Sequence, residues 1–128
     1  MKQYFVALVL VLVMSLSGSA ATTYVGDGQL LDAYALADGG TITITLREGG
    51  YRIDLLTTVA FTDGSLAEDI VELPRHLDAP TEWITEICGG RLHIWLSWGR
   101  ERPVLHSVWD LPLDAVQLQF LPLVCRSQ

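Results

Sequence analysis

The sequence predicts a mainly β fold, a small antiparallel sandwich or barrel of about six to seven strands with one or two short helices. Three observations carry this expectation. Apolar and polar residues alternate through Thr41–Leu55 and again through Glu82–Trp98, the period of strands with one buried face. Gly, Pro and Asp recur at short intervals between these runs, as tight turns require. Residues 21–128 suffice for one hydrophobic core and are too few for two.

Residues 1–20 have the three parts of a secretory signal. Met1-Lys2 is the positive end, Tyr4 to Leu16 is apolar and uncharged, and Ser17-Gly18-Ser19-Ala20-Ala21 is a tract of small residues with cleavage expected after Ala20. The apolar run falls short of the roughly 20 residues that cross a bilayer as a helix. Leu16-Ser17-Gly18-Ser19 lacks the cysteine on which a lipid anchor would be built. The expected product is a single small β-rich domain, residues 21–128, periplasmic or extracellular, soluble and not lipidated. No later segment is long and apolar enough to span a membrane.

The chain carries 8 Lys and Arg against 15 Asp and Glu, a net charge of −7. Losing Lys2 with the leader takes the balance one unit further negative. Such a surface repels phosphate backbones, so nucleic acid is not an expected partner. Cys88 and Cys125 are the only thiols. In an exported chain they allow a single intramolecular bridge, worth about 3–4 kcal/mol in the chain-entropy account.

Asp27 to Gly40 reads two ways. Leu30, Ala33, Tyr34 and Ala37 recur at helical spacing, whereas Leu30, Tyr34 and Leu36 share a strand parity; a short helix is preferred. Ile42, Ile44 and Leu46 then alternate with threonines, Arg47-Glu48-Gly49-Gly50 makes a turn, and Tyr51, Ile53 and Leu55 return. Setting Leu46 opposite Tyr51 gathers both apolar sets on one face of a hairpin. The alternation runs on to Phe61, too far for one flat strand, so a bulge or bend is expected near Leu56 to Thr58.

Ser65 and Glu68 fit a capping box, with Leu66, Ile70 and Leu73 on one helical face and Pro74 as the stop. The rival is a hairpin turning at Asp63-Gly64. Glu82 to Trp98 is a second hairpin turning on Gly89-Gly90, with Cys88 opposite Arg91 and Trp83 opposite Leu96. Gly99 to Pro103 is a charged turn, Val104 to Leu111 another strand, and Val116 to Val124 the last. A plain meander of these last strands would put Cys88 and Cys125 at opposite ends of the sheet. A disulfide needs Cα atoms closer than about 7 Å. Either Pro112 to Ala115 is a crossing connection, or Pro122 turns the tail back, or the thiols are free; the bridge is preferred to the meander, which favours two sheets or a barrel with one non-adjacent connection.

Functional groups converge in one place, the mixed face of the second hairpin. Glu86 and His93 are cross-strand partners there, with Arg91 and Trp95 beside His93 on the same face. A carboxylate beside an imidazole is an acid–base pair, an arginine can clamp a carboxylate, and Trp95 with Ile84 offers an apolar platform. The plainest alternative is a solvated sheet face with one favourable charge pair. His76, His93 and His106 show no short metal-ligand spacing, and Ser65, Ser97 and Ser107 lie in no nucleophile elbow. There is no phosphate loop or dinucleotide fingerprint. No metal or cofactor is expected. The reading that follows is a non-enzymatic binding, inhibitor or envelope accessory module, its partner another exported or envelope protein held by Glu86, Arg91, His93 and Trp95 or by a free strand edge. A small hydrolase using Glu86 and His93, and a glycan-binding domain stacking sugars on Trp95, are the alternatives.

Overall fold

A computed structural model of the chain describes residues 23–25, 28–49, 52–75, 78–99 and 104–126. The leader, His76 and most of the Gly99–Pro103 turn lie outside the described residues. Eight strands follow in order: β1 Thr23–Val25, β2 Gly28–Ala35, β3 Thr41–Gly49, β4 Arg52–Ala60, β5 Leu66–Glu72, β6 Glu82–Cys88, β7 Arg91–Ser97 and β8 Val104–Asp110. The first five form one antiparallel meander and the last three another. The mainly β architecture therefore holds, as two sheets sharing one core, with no helix among the described residues.

The core is built from the alternation the sequence displays. Ile42, Ile44, Leu55 and Val59 of the larger sheet are at most 1 % exposed, and Leu92, Ile94 and Leu96 of the smaller at most 2 %. Removing each such side chain from water contributes about 1.5–3 kcal/mol.

The expected helix over 27–40 is the strand β2. Its register against β3 jumps between Leu30 and Asp32, leaving Leu31 as a bulged extra residue, and Leu31 is buried. The insertion flips the strand parity, so buried positions fall three apart and imitate a helical period. Asp32 and Tyr34, opposite the buried Ile44 and Ile42, also point inward and break the apolar alternation.

The β3–β4 hairpin keeps the predicted face but not the predicted register. Leu46 faces Leu55 instead of Tyr51, a slip of four residues that preserves parity. The longer ladder pairs Arg47 with Asp54. Both Arg47 and Arg52 then reach the buried Asp54 carboxylate, at 3.8 and 3.0 Å. The pairing from Thr41↔Ala60 to Gly49↔Arg52 is unbroken, so no bulge interrupts it near Leu56–Thr58; the bulge sits in β2.

The Ser65 capping box is also corrected. Asp63-Gly64 makes a hairpin turn, Phe61 N donating to Ser65 O at 2.9 Å and Gly64 adopting φ +92°. Ser65 donates its backbone N–H and its hydroxyl to Asp63 Oδ1 at 2.9 and 2.6 Å. These bonds, the hydroxyl one first, hold the Asp63 carboxyl below its usual range. The segment that follows is β5, an edge strand whose Glu68, Asp69 and Glu72 discourage pairing with another chain.

The second hairpin has the predicted register throughout, from Glu82↔Ser97 to Cys88↔Arg91. Gly89 and Gly90 take φ of +58° and +76°, the two left-handed positions of a two-residue turn that glycine adopts without steric cost.

The last expected strand, Val116 to Val124, is instead a series of turns. Asp114 and Gln117 cap each other reciprocally, each backbone N–H donating to the other's side chain at 2.9 Å. Gln117 Nε2 also donates to Asp38 Oδ2 at 3.1 Å, tying the tail to the larger sheet. This resolves the conflict between bridge and meander. Strand β8 ends beside Arg91, Leu111 N–H bonds Gly90 O at 3.0 Å, and Gly89 N–H bonds Pro122 O at 2.8 Å. The tail stays at the hairpin end, and Cys88 bonds Cys125 with Cα atoms 5.1 Å apart, across a sequence separation of 37.

Candidate functional site

The pairing of β6, β7 and β8 places every second side chain on the outer face of the smaller sheet in four rows of three. The rows are Glu82, Ser97 and Val104; Ile84, Trp95 and His106; Glu86, His93 and Val108; Cys88, Arg91 and Asp110. All four residues expected to form the site lie on this face. Strand β8 adds His106, Val108 and Asp110 beside them, a juxtaposition that the hairpin register alone does not show.

Aromatic rings occupy the centre. Trp95 lies 4.6 Å from His106 and 5.5 Å from His93, and the two imidazoles lie 5.2 Å apart, with no interplanar angle above 20°. His93 Nδ1 and His106 Nε2 share a hydrogen bond of 2.9 Å, while His93 Nε2 faces Cys125 Sγ at 3.6 Å. Both ring nitrogens of His93 are thus engaged by groups other than Glu86. The Glu86 carboxylate accepts the backbone N–H of Arg126 at 3.1 Å. Arg91 pairs with Asp110 across the strands at 2.8 Å, and that pair is exposed and contributes little stability.

Apolar side chains surround the rings without cover. Ile84 and Val104 are each 61 % exposed and Val108 is 47 % exposed. A groove of about 650 Å³ runs along the outer side of β6, lined by Glu82, Trp83, Ile84, Trp95, Ser97 and Val104. Strand β6 has a single strand neighbour, β7, so one of its edges is unpaired in the described sheet. Trp98 is buried, donating its indole N–H to Asp78 O at 2.5 Å, and Trp83 is half-buried and packs against the core while lining the groove.

Beneath β6 lies a polar chain that sequence reasoning missed. Thr85 Oγ1 donates to Asp32 Oδ2 and stands 2.5 Å from the Tyr34 hydroxyl. With the threonine proton directed at the carboxylate, Tyr34 must be the donor to Thr85. Burial pushes the Tyr34 hydroxyl up to about 12; the hydrogen bond to Thr85 opposes this, and the charges of Asp32 and Glu86 add to it. The tyrosine therefore remains a proton donor at neutral pH. Its signal in the sequence was the strand parity shared by Asp32 and Tyr34, which the helical reading of that stretch concealed.

Among the described residues, no helix is long and apolar enough to cross a membrane. No protein-family model, curated protein or solved structure matches the chain.

Proposed function

We propose that the chain is an exported, non-enzymatic binding module whose partner is another exported or envelope protein. Contact is made through the outer face of the smaller sheet and the free edge of β6. The observation that carries the reading is the exposed apolar surface of Ile84, Val104 and Val108 around the stacked Trp95, next to an open groove. Contiguous apolar surface of this kind costs solubility unless something covers it. An unpaired edge beside side-chain pockets is how an extended segment adds to a sheet. Glu82 at the groove favours a basic residue in that segment. Export is supported by the leader-like residues 1–20 and by the disulfide.

The acid–base reading has less support, because His93 directs its nitrogens at His106 and Cys125. Sugar stacking has less support as well, since Trp95 already lies against two imidazoles.

Selection of peptides from a random library displayed on phage, with the purified chain as bait, tests the proposal. The expected winners are extended peptides that alternate apolar residues and carry a basic one. Their binding should fall at least tenfold in Ile84→Glu and in Trp95→Ala, and be unchanged in Leu66→Glu, where an equally exposed apolar residue on the other sheet is replaced. Peptides that bind all four proteins alike would refute the assignment of this face.

A further inference from the structure

Cys125 stands 37 residues from Cys88 in sequence, yet folding brings one donor atom from each of Cys88, His93 and Cys125 within 4.8 Å of the others. We propose that this cluster is a second site: once its disulfide is opened, it binds one thiophilic metal ion, of which Zn²⁺ is the type. Two thiolates and an imidazole are the donor set that selects such ions over hard cations.

The geometry is close to what the metal requires. With Zn–S about 2.3 Å and Zn–N about 2.05 Å, a tetrahedral ion holds its thiolate and imidazole donors about 3.6 Å apart. Cys125 Sγ already lies 3.6 Å from His93 Nε2. What must change is the distance between the two sulfurs, which needs to grow to about 3.8 Å. Cys125 can supply that movement, because it sits in a tail without regular structure while Cys88 ends a strand.

The orientation of the imidazole points the same way. His93 Nδ1 faces His106 Nε2 at 2.9 Å. Once the bridge is open, the tautomer protonated at Nδ1 donates to His106 and turns the Nε2 lone pair of His93 toward the sulfurs. A ligating histidine is ordinarily held in this manner by a partner on its other nitrogen. Cys125 and His93 are only half-buried, which leaves the ion a route in and a fourth position for water.

The steps balance with a dithiol as reductant. The donor's two thiols each give one electron and one proton to a sulfur of the Cys88–Cys125 bond, and the donor leaves as its own disulfide. The metal then displaces the two thiol protons into solvent and forms two metal–sulfur bonds. Disulfide and metal are mutually exclusive occupants of the same sulfurs.

Co²⁺ titration of the purified chain, oxidised and after dithiol reduction with the reductant removed, tests this. The expected result is one Co²⁺ per reduced chain, with thiolate-to-cobalt charge transfer and the visible bands of a tetrahedral ion, and no binding by the oxidised chain. His93→Ala should weaken binding more than tenfold and change the visible bands. His106→Ala should weaken it by about tenfold while leaving the bands of the bound ion in place. Near-UV circular dichroism follows folding. A reduced chain that loses structure and regains it with Co²⁺ supports the proposal. Absent binding, one ion per two chains, or a His93→Ala spectrum and affinity equal to those of the unaltered chain would each overturn it.

Discussion

Replacing Thr85 by Val removes one oxygen atom and nearly preserves shape, so it isolates the polar chain beneath β6. The hydroxyl gives its proton to Asp32 and receives one from Tyr34, the latter at 2.5 Å. A hydrogen bond to a charged acceptor contributes about 1.5–3 kcal/mol and a neutral one about 0.5–1.5 kcal/mol. Both partners are half-buried rather than sealed, and Asp32 keeps the bond its Oδ1 accepts from Ala33 N–H at 2.9 Å. Water therefore recovers part of the loss, and the expected cost is about 2 kcal/mol. Urea unfolding is the assay: the midpoint should fall with an unchanged slope, while Thr85→Ser, which keeps the hydroxyl, should lose less than half as much. A double-mutant cycle with Tyr34→Phe should return a coupling of about 1 kcal/mol. Thr85→Val within about 0.5 kcal/mol of the unaltered chain would refute the argument that this chain fastens β6 to β2.

Stability should fall at alkaline pH as the solvent passes from about 10, where an unfolded tyrosine ionises, to about 12, where the folded Tyr34 does. The contribution is fully present below that window and lost above it; with the side chain partly exposed it amounts to about 1–2 kcal/mol, and Tyr34→Phe should flatten that part of a stability–pH curve. Reducing the Cys88–Cys125 bridge, which spans a separation of 37, should cost about 3–4 kcal/mol, read as a lower urea midpoint in metal-free buffer. Phe120 holds φ +71° with a side chain 91 % exposed, so Phe120→Gly should stabilise by about 1 kcal/mol in thermal unfolding; a loss would show that the ring makes a contact of its own.

The parts of the fold legible in the sequence were those where a single period decides. The second hairpin could be registered pair by pair, because Gly89-Gly90 permits one two-residue turn and alternation on both sides then follows. From that register alone, Glu86, Arg91, His93 and Trp95 were placed on one face. The errors occurred where two periods compete. Leu31 inserts into β2 and gives a strand helical spacing. Ser65-x-x-Glu68 matches a capping box, yet Asp63 claims the same serine for a turn. In the tail, Val116, Leu118 and Phe120 alternate like a strand, but the reciprocal Asp114–Gln117 bonds and the long-range bond to Asp38 select turns. The slip of the first hairpin is of another kind: every shift by an even number keeps the same face buried, so periodicity cannot separate them. The ion pairs of Asp54 with Arg47 and Arg52 favour the observed one.

The β6 edge is held by contacts on both of its faces, and this bears on how it could receive a partner. On the inner face Thr85 ties it to β2. On the outer face the tail reaches it through the bridge at Cys88 and through Arg126 N–H on Glu86 at 3.1 Å. Both tail contacts fall in the half of the strand nearest the turn, whereas the groove opens on the other half, at Glu82, Trp83 and Ile84. A strand edge restrained along one half presents the other half in a fixed register, so an incoming segment need not order it on binding. The same arrangement relates the two proposed sites. The two sulfurs lie at the bridge end and the apolar groove opens at the opposite end, and the sites meet where His93, a metal donor, stacks at 5.5 Å on Trp95, which lines the groove. Opening the bridge should therefore release the tail from β6 while leaving the Thr85 anchorage and the groove residues in place. Peptide binding at Ile84 and Trp95 should survive reduction with at most a severalfold loss of affinity. Its abolition in a reduced chain that remains folded would show that the tail itself forms part of the binding surface.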